Sequence, residues 1–518
     1  MSVRVRYAPS PTGSPHVGNL RTAIYDWLLA RKEGGQFIAR LEDTDRSPER
    51  YVPEGIYDIE ASLRFLGILP DEWWVSGGPC APYVQSERLP LYQAAAERLI
   101  ESGNAYRCYC SRERLDALRA EQQADKNLTG YDRLCRDPDS RQKMRASRAE
   151  REGGEPSSVV RLAMPQEGVT VLHDEIRGDI SYENRLQDDQ VLIKSDGFPT
   201  YFLACAVDDH EMGITHILRG DDWLSSAAKL VQVFHALGWD PPKFAHPPLI
   251  IGADKKKLSK RHGATQFVWF VEQGYLPEAM INFLTLLGWS PGDENRELFS
   301  IPELVERFSL DGITEHPAVF DYEKLKWMNG HYIRHSQPGR IIGLCLPYLV
   351  KAGYVSPPPS QDATEEEKLA YLREMEYVRR VITLEQDRMK TLAEVTELAG
   401  FFFEDLDYPR GYDEKAVKKW LSVPHLRPLL EKEIAAWNAL PDWTVQGLEE
   451  AARAIGDELG VKFGEVIHPT RVAATGRTVG PGLFETLWAL GKERTVHRLS
   501  SVLANYSSVE PVTVVATT

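Results

Sequence analysis

The sequence predicts an α/β domain with a parallel sheet, broken by an insertion and followed by a long all-helical region. Three observations point there. Near the start, Val3, Val5 and Tyr7 alternate with Arg4 and Arg6, a period of two that marks a strand. A loop punctuated by Pro9, Pro11, Gly13 and Pro15 follows. Leu20, Ile24, Trp27 and Leu28 then recur at helical spacing up to Gly34-Gly35, and residues 37–41 read as strand again. Strand, loop, helix, strand opens a βαβ unit, whose ligand crevice lies at the strand ends. From about residue 265 the apolar runs at 276–289, 339–352, 365–384, 427–440, 446–459 and 482–503 are helical in period and separated by Pro- or Gly-containing breaks.

Between those two regions the pattern is less regular. Helical stretches at 91–101 and 112–123 precede a polar run, 136–156, and together these read as an inserted domain. Strand signals return at 191–194, 201–207 and 216–218. A helix is expected from Ser225, as N-cap, to Leu237, with Gly238 as its stop, and 248–251 is a further buried strand. The expected division is a Rossmann-type α/β domain from 1–89 and 191–250, an inserted α/β domain at 90–190, a segment at 251–335 carrying a basic loop, a helical region at 336–503 and a frayed tail at 504–518.

Composition narrows the function. Of 518 residues, 42% are hydrophobic and 26% charged, which argues against extensive disorder. With 76 acids and 61 bases the net charge is −15, so a nucleic acid must dock on local basic patches. No apolar run approaches the ~20 residues that span a bilayer, so no membrane partner is expected. Six cysteines are too few for a disulfide scaffold, and the start lacks a signal-peptide core, so a cytoplasmic location is expected.

Two loops carry chemistry. Arg6-Tyr-Ala-Pro-Ser-Pro-Thr-Gly-Ser-Pro-His-Val-Gly-Asn19 lies between a strand and a helix. Prolines stiffen it, Gly13 and Gly18 let a ligand approach the backbone, and the helix start offers unpaired N–H groups to a phosphate. The alternative is a rigid turn with His16 packed on its neighbour. Asp254-Lys-Lys-Lys-Leu-Ser-Lys-Arg-His-Gly263 puts five bases in seven residues, a concentrated cationic patch or a solvated charged loop. Farther along, Cys108 and Cys110 form a C-x-C pair, and Cys135 with Asp137 a C-x-D pair. Three thiols and a carboxylate suit a tetrahedral zinc site that clips the insertion; free cysteines are the alternative.

Taken together, His16-Val-Gly-Asn19 and Lys257-Leu-Ser-Lys-Arg261 resemble the two signatures of class I aminoacyl-tRNA synthetases, each departing from the commonest spelling at its second and last positions. Further segments resemble glutamyl-tRNA synthetases, in that family's order: Arg6 to Gly13, Arg40-Leu-Glu-Asp-Thr-Asp45, Tyr131-Asp132, Lys194-Ser-Asp-Gly-Phe-Pro-Thr-Tyr201, Val207-Asp-Asp-His210, Leu218-Arg-Gly-Asp-Asp222 and Phe320-Asp-Tyr-Glu-Lys-Leu-Lys-Trp-Met-Asn-Gly330. The likeness is strong over residues 1–335. It is weaker over 336–503, where His468-Pro-Thr-Arg-Val-Ala473 and Pro481-Gly-Leu-Phe484 still fit.

The resemblance implies a Rossmann-type catalytic domain, an inserted connective domain that meets the tRNA acceptor end, and an all-α C-terminal anticodon-binding region. It implies ATP-dependent attachment of glutamate to tRNA(Glu) through a glutamyl-adenylate, with Mg²⁺ accompanying ATP, by a monomer. His16 and Lys260 would stabilise the reacting phosphate, with Gly18, Asn19, Asp222, Lys257 and Ser259 also at ATP. Arg6 and Arg219 would face the substrate carboxylates and Glu42 its ammonium, with Ala8, Ser10 and Tyr201 lining the pocket and Cys205 standing where some relatives carry Asn. An Arg fork suits a carboxylate and disfavours an amide. Some members carry a similar cysteine cluster with His where this chain has Asp137, and Arg388 matches the part of the family that reads the anticodon.

Overall fold

A computed structural model describes residues 2–48, 50–125, 129–259, 263–292 and 296–505. Lys260, expected at the reacting phosphate, and residues 506–518 of the expected tail lie outside the described residues. The chain divides into two compact units, Met1–Val271 with Pro277–Leu325, and Glu272–Leu276 with Lys326–Thr518. No helix among the described residues is long and apolar enough to cross a membrane.

The first unit is built on the expected parallel strands. Arg4–Tyr7 runs parallel to Gln36–Ala39, in register from Arg4 opposite Gln36 to Tyr7 opposite Ala39, and the helix Val17–Lys32 connects them. On the other side, Arg4 N–H donates to Thr215 Oγ1 at 2.8 Å and Thr215 N–H returns a bond to Arg4 O at 2.9 Å. Thr215 leads into His216–Leu218, which lies parallel to Lys243–Ala245, and Asp174 pairs in parallel with Phe244. Asp174 ends the strand Val169–Asp174, half of an antiparallel hairpin with Gly178–Glu183. That hairpin, within the 90–190 span, therefore extends the sheet of the Rossmann-type half. Two other strands of the insertion, Ala105–Cys108 and Val159–Leu162, form a separate antiparallel sheet whose third strand, Val191–Ile193, lies just beyond the expected boundary at 190.

Two local expectations differ from the structure, and one helix lies where no element was expected. Residues 201–207, expected as strand, begin the helix Tyr201–Glu211. Every residue from Leu203 to Asp209 is buried, so no polar face is left to show a helical period, and a short apolar run is ambiguous. Ser225 is not an N-cap: a 3₁₀ turn, Asp221–Ser226, precedes the helix Ala227–Ala236, and the Ser226 hydroxyl donates to Trp223 O at 2.9 Å instead. The polar run 136–156 contains the helix Pro138–Glu152, which buries none of its residues and so has no apolar stripe to reveal it. Its ends are nonetheless written locally, by the Asp137 cap, Pro138 in the first turn and the left-handed Gly153.

The second unit is all helix in its long elements. Pro338–Lys351, Glu365–Glu385, Leu426–Ala439 and Val445–Leu459 match the predicted runs. The run 482–503 is two helices, Leu483–Leu490 and Lys492–Ala504, separated at Gly491, whose φ of 85° breaks the helical path. Phe463–Thr475 is an additional helix, hidden from sequence by its interior Pro469.

Candidate active site

The first strand ends at Tyr7 and the first helix begins at Val17, so the intervening loop sits at the carboxyl end of the sheet. His16 is the N-cap, and its Nδ1 accepts the Gly18 N–H at 3.0 Å. A Cβ at Gly18 would lie 3.3 Å from that nitrogen, so glycine keeps the cap compact. The basic loop folds back as a hairpin: Gly252 N–H donates to Lys256 O and Leu258 N–H to Ile250 O, both at 2.9 Å. This places Lys257, whose ammonium is 2.9 Å from Asp222 Oδ2, close enough that burial and its charge together hold the His16 imidazole below its ordinary pKa. His16 thus shares one electrostatic neighbourhood at a helix start with Lys257 and its partner Asp222, both far along the chain from it. Ser259 is half-buried on the same hairpin.

Beside it opens a crevice of about 570 Å³. Seven expected residues line it: Arg6, Ala8, Ser10, Asn19, Glu42, Tyr201 and Arg219. His16, Gly18, Asp222, Lys257 and Ser259 are not among its walls. Cys205 is fully buried behind the wall, donating its S–H to Asp209 Oδ2 at 3.2 Å, and burial, with Asp209 adding to it, pushes its thiol up to about 12.

An ion network backs the lining. Arg6 Nε donates to Asp209 at 3.2 Å; Arg40 reaches Asp209 at 2.8 Å, Glu42 at 3.1 Å and Asp208 at 3.4 Å; Arg88 meets Asp208 at 2.7 Å. Burial alone would raise the Asp209 carboxyl, but Arg6 and Arg40 outweigh it and hold it low. At Glu42 burial prevails over Arg40, and the carboxyl is raised.

Arg219 pairs with neither acidic neighbour: Asp221 meets Arg177 at 3.0 Å and Asp222 meets Lys257. Instead Arg219 Nη1 donates to the Tyr201 hydroxyl at 2.8 Å and Nε to His246 Nε2 at 3.1 Å. Its buried Nη2 has no hydrogen-bond partner among the described residues. A buried guanidinium edge lining a crevice is suited to an anionic ligand.

Sequence reasoning missed several walls and supports. Asp26, Lys194 and Trp223 line the crevice; burial, with Asp209 adding to it against Arg6, raises the Asp26 carboxyl well above its ordinary pKa, and neither of its oxygens is hydrogen-bonded among the described residues. Arg40, Asp208 and Asp209 lie behind the lining, joined to it through Arg6 and Glu42. Two consecutive acids inside the apolar run 201–209 were the available signal, because buried acids require buried bases.

Away from the crevice, the sulfurs of Cys108, Cys110 and Cys135 lie within 4.8 Å of one another. The Tyr131 hydroxyl stands 3.4 and 3.5 Å from the first two and accepts the Cys135 N–H at 2.9 Å. Three converging buried thiols fit a soft cation such as zinc. Asp137, expected as the fourth ligand, is turned otherwise: its carboxylate accepts the Ser140 N–H at 2.8 Å and caps the next helix. In the second unit, Arg388 ends the turn Gln386–Arg388 and pairs with the buried carboxylate of Glu385.

The geometry is that of a crevice suited to a small anion, beside a helix start whose first N–H groups, expected to be unpaired, have partners: Val17 donates to Thr265 O, Gly18 to His16 Nδ1, and Asn19 and Leu20 to His16 O, so the positive charge there comes from the helix dipole and Lys257. A family model described as tRNA synthetases class I (E and Q), catalytic domain, matches residues 2–327, and one described as an anticodon binding domain matches residues 341–503. The chain belongs to the class I tRNA synthetase family specific for E and Q. It is similar to a glutamate–tRNA ligase of Desulforudis audaxviator (strain MP104C), 44% identical over 505 residues, covering 97% of this chain and 96% of that one. It is similar also to a glutamate–tRNA ligase of Moorella thermoacetica, 43% identical over 500 residues, covering 96% of this chain and 97% of that one. Among solved structures, a glutamate tRNA ligase from Elizabethkingia meningosepticum in complex with its amino acid superposes with a TM-score of 0.83 at 34% identity, covering 97% of this chain and 99% of that one.

Proposed function

We infer that this chain is an ATP-dependent ligase that joins L-glutamate to tRNA(Glu). The observation that carries the inference is the pairing of two buried arginines and a carboxylate in one crevice with a capped helix start beside a lysine hairpin. The signs match the substrates: cations for two carboxylates, an anion for an ammonium, and donors for a triphosphate.

In this mechanism Arg6 and Arg219 hold the carboxylates of glutamate and Glu42 its ammonium, with Ala8, Ser10 and Tyr201 closing the pocket. Cys205 supports this wall from behind, a role that fits its burial. The α-carboxylate oxygen attacks the α-phosphorus of ATP and pyrophosphate leaves. The terminal ribose hydroxyl of tRNA then attacks the activated carbonyl and AMP leaves. The protein's part is in-line positioning and charge stabilisation, from His16, Lys257 and Lys260 at the phosphates and from Gly18, Asn19, Asp222 and Ser259 around the nucleotide. Mg²⁺ carried by ATP supplies further positive charge.

The finer division into a catalytic domain (1–89 and 191–250), a connective domain (90–190), a stem-contact segment (251–335) and an anticodon-binding region (336–503) belongs to the same proposal. So do a cytoplasmic, monomeric enzyme and a structural zinc held by Cys108, Cys110 and Cys135. Arg388 is proposed to read the third anticodon base, restricting charging to tRNA(Glu).

Aminoacylation with purified tRNA(Glu) and tRNA(Gln) tests the function. Charging of tRNA(Glu) with glutamate, and not with glutamine, is expected; no charging overturns the function, and efficient glutamylation of tRNA(Gln) overturns the role of Arg388. Elemental analysis of protein purified without added metal should give one zinc per chain.

A further inference from the structure

Three neighbouring parallel strands end side by side, each followed or closed by one polar side chain, and the last of these, Arg219, lines the crevice. Asp174 is the last residue of its strand, His246 follows Lys243–Ala245, and Arg219 follows His216–Leu218. Strand pairing brings the three into line: Asp174 Oδ2 lies 2.5 Å from His246 Nδ1, and His246 Nε2 lies 3.1 Å from Arg219 Nε. Both His246 and Asp174 are buried.

The chemistry of the end members dictates the state of the middle one. A guanidinium only donates, so His246 Nε2 must present a lone pair. An ionised carboxylate only accepts, so Nδ1 must carry the proton. Only the neutral Nδ1–H tautomer satisfies both. The backbone N–H groups of Ile176 and Arg177 donate to Asp174 Oδ1 at 3.0 and 2.9 Å, and with His246 they hold that carboxyl below its ordinary pKa against the opposing effect of burial. The phenyl ring of Phe244 lies parallel to the imidazole, at 6.1 Å between centroids.

We propose that Asp174 and His246 form a positioning chain that fixes the Arg219 guanidinium, so that its unpartnered Nη2 edge is held toward the carboxylate of the bound amino acid. Two of the three nitrogens of Arg219 are committed, Nε to His246 and Nη1 to Tyr201, and the third is left for the ligand. Without the Nε acceptor the long side chain regains rotational freedom, and the ligand must order it on binding. His246 touches no reacting atom in this scheme; it acts through Arg219. The inference rests on the proposed role of Arg219 in holding glutamate.

The test compares isosteric replacements. His246→Gln places an amide oxygen near the position of Nε2 and can still accept from Arg219. His246→Asn reaches only the Nδ1 position and can meet Asp174 but not Arg219. Loss of one buried charged hydrogen bond predicts that His246→Asn raises the KM for glutamate about tenfold or more, with the KM for ATP changed less than about twofold, whereas His246→Gln stays within about threefold of the parent. Melting curves of each variant establish folding. Should one fail to fold, Asp174→Asn carries the same prediction, because an amide accepts either imidazole tautomer and releases the constraint on Nε2. The proposal is overturned if Asn and Gln at position 246 behave alike, or if the KM values for glutamate and ATP rise together. Arg219→Ala separates the two levels. A large rise in glutamate KM for Arg219→Ala with none for His246→Asn sinks the positioning chain alone, and no rise for Arg219→Ala removes the parent assignment and the chain with it.

Discussion

In the catalytic unit charge is buried in company, Asp26 excepted. Arg6, Arg40 and Arg88 face Asp208, Asp209 and Glu42, nearly all withdrawn from water, and each carboxylate has a cation within 3.2 Å. In the helical unit charge is mostly kept on exposed faces, as in the Arg453–Glu449 and Arg427–Glu431 pairs one helical turn apart. Among the buried exceptions Glu385 keeps a cation, Arg388, but two others stand almost alone. Glu433 has a Thr470 hydroxyl at 2.7 Å and no partner for its second oxygen among the described residues, and Arg498 ends on the carbonyls of Ala474, Phe401 and Glu404. The contrast teaches where each unit keeps its functional charge. A crevice that must discriminate a diacid needs cations whose direction is set before the ligand arrives, and a buried network sets it. A helical scaffold that folds by apolar packing needs no such network, and an isolated buried carboxyl in it simply changes protonation state.

The contrast can be broken most forcefully at Arg40, which serves three carboxylates. Arg40→Met should destabilise the protein by roughly 3–5 kcal/mol, read in urea denaturation, because Asp208, Asp209 and Glu42 lose a partner while remaining buried. A loss under about 1 kcal/mol would show that the network is far less tightly coupled than its geometry implies.

A smaller effect, of opposite sign, is expected at Glu433. Burial pushes its carboxyl from 4.5 up to about 8. The folded state therefore keeps a proton that the unfolded chain releases, and stability is lost as pH rises between those values. Glu433→Gln, which carries no such proton, should be more stable than the parent at pH above 8 by an unfolding free energy on the order of a few kcal/mol, and so melt higher, and the gain should fade below pH 4.5. Melting curves of parent and variant at both ends of that range give the difference directly; a gain that does not depend on pH contradicts the protonation argument.

The smallest effect sharpens the comparison from the surface side. Arg453→Ala, which removes an exposed pair with Glu449, should change stability by no more than ~0.5 kcal/mol.

Much of this was legible locally. The loop before the first helix announced itself by Pro and Gly spacing, and its His16 does cap that helix. The helical runs of the second unit showed their period because one face of each is wet. Where neither face is wet, as at Tyr201–Glu211, or where both are, as at Pro138–Glu152, the period vanished and the elements were misread or missed. Cys108, Cys110 and Cys135 were legible as a cluster from their spacing. Asp137 was not placed correctly beside them, because the same residue is also a good helix N-cap and the cap prevails.

Residue types and their order along the chain determined the class of chemistry: which side chains are cationic, which loops can approach a phosphate, and which segments are apolar enough to pack. Their partnerships were decided only in three dimensions. Asp174 and His246 stand 72 residues apart, and nothing in their flanking sequence links them. They meet because backbone hydrogen bonds between parallel strands bring those strand ends side by side, and a buried carboxylate and a guanidinium then leave the imidazole between them one acceptable tautomer.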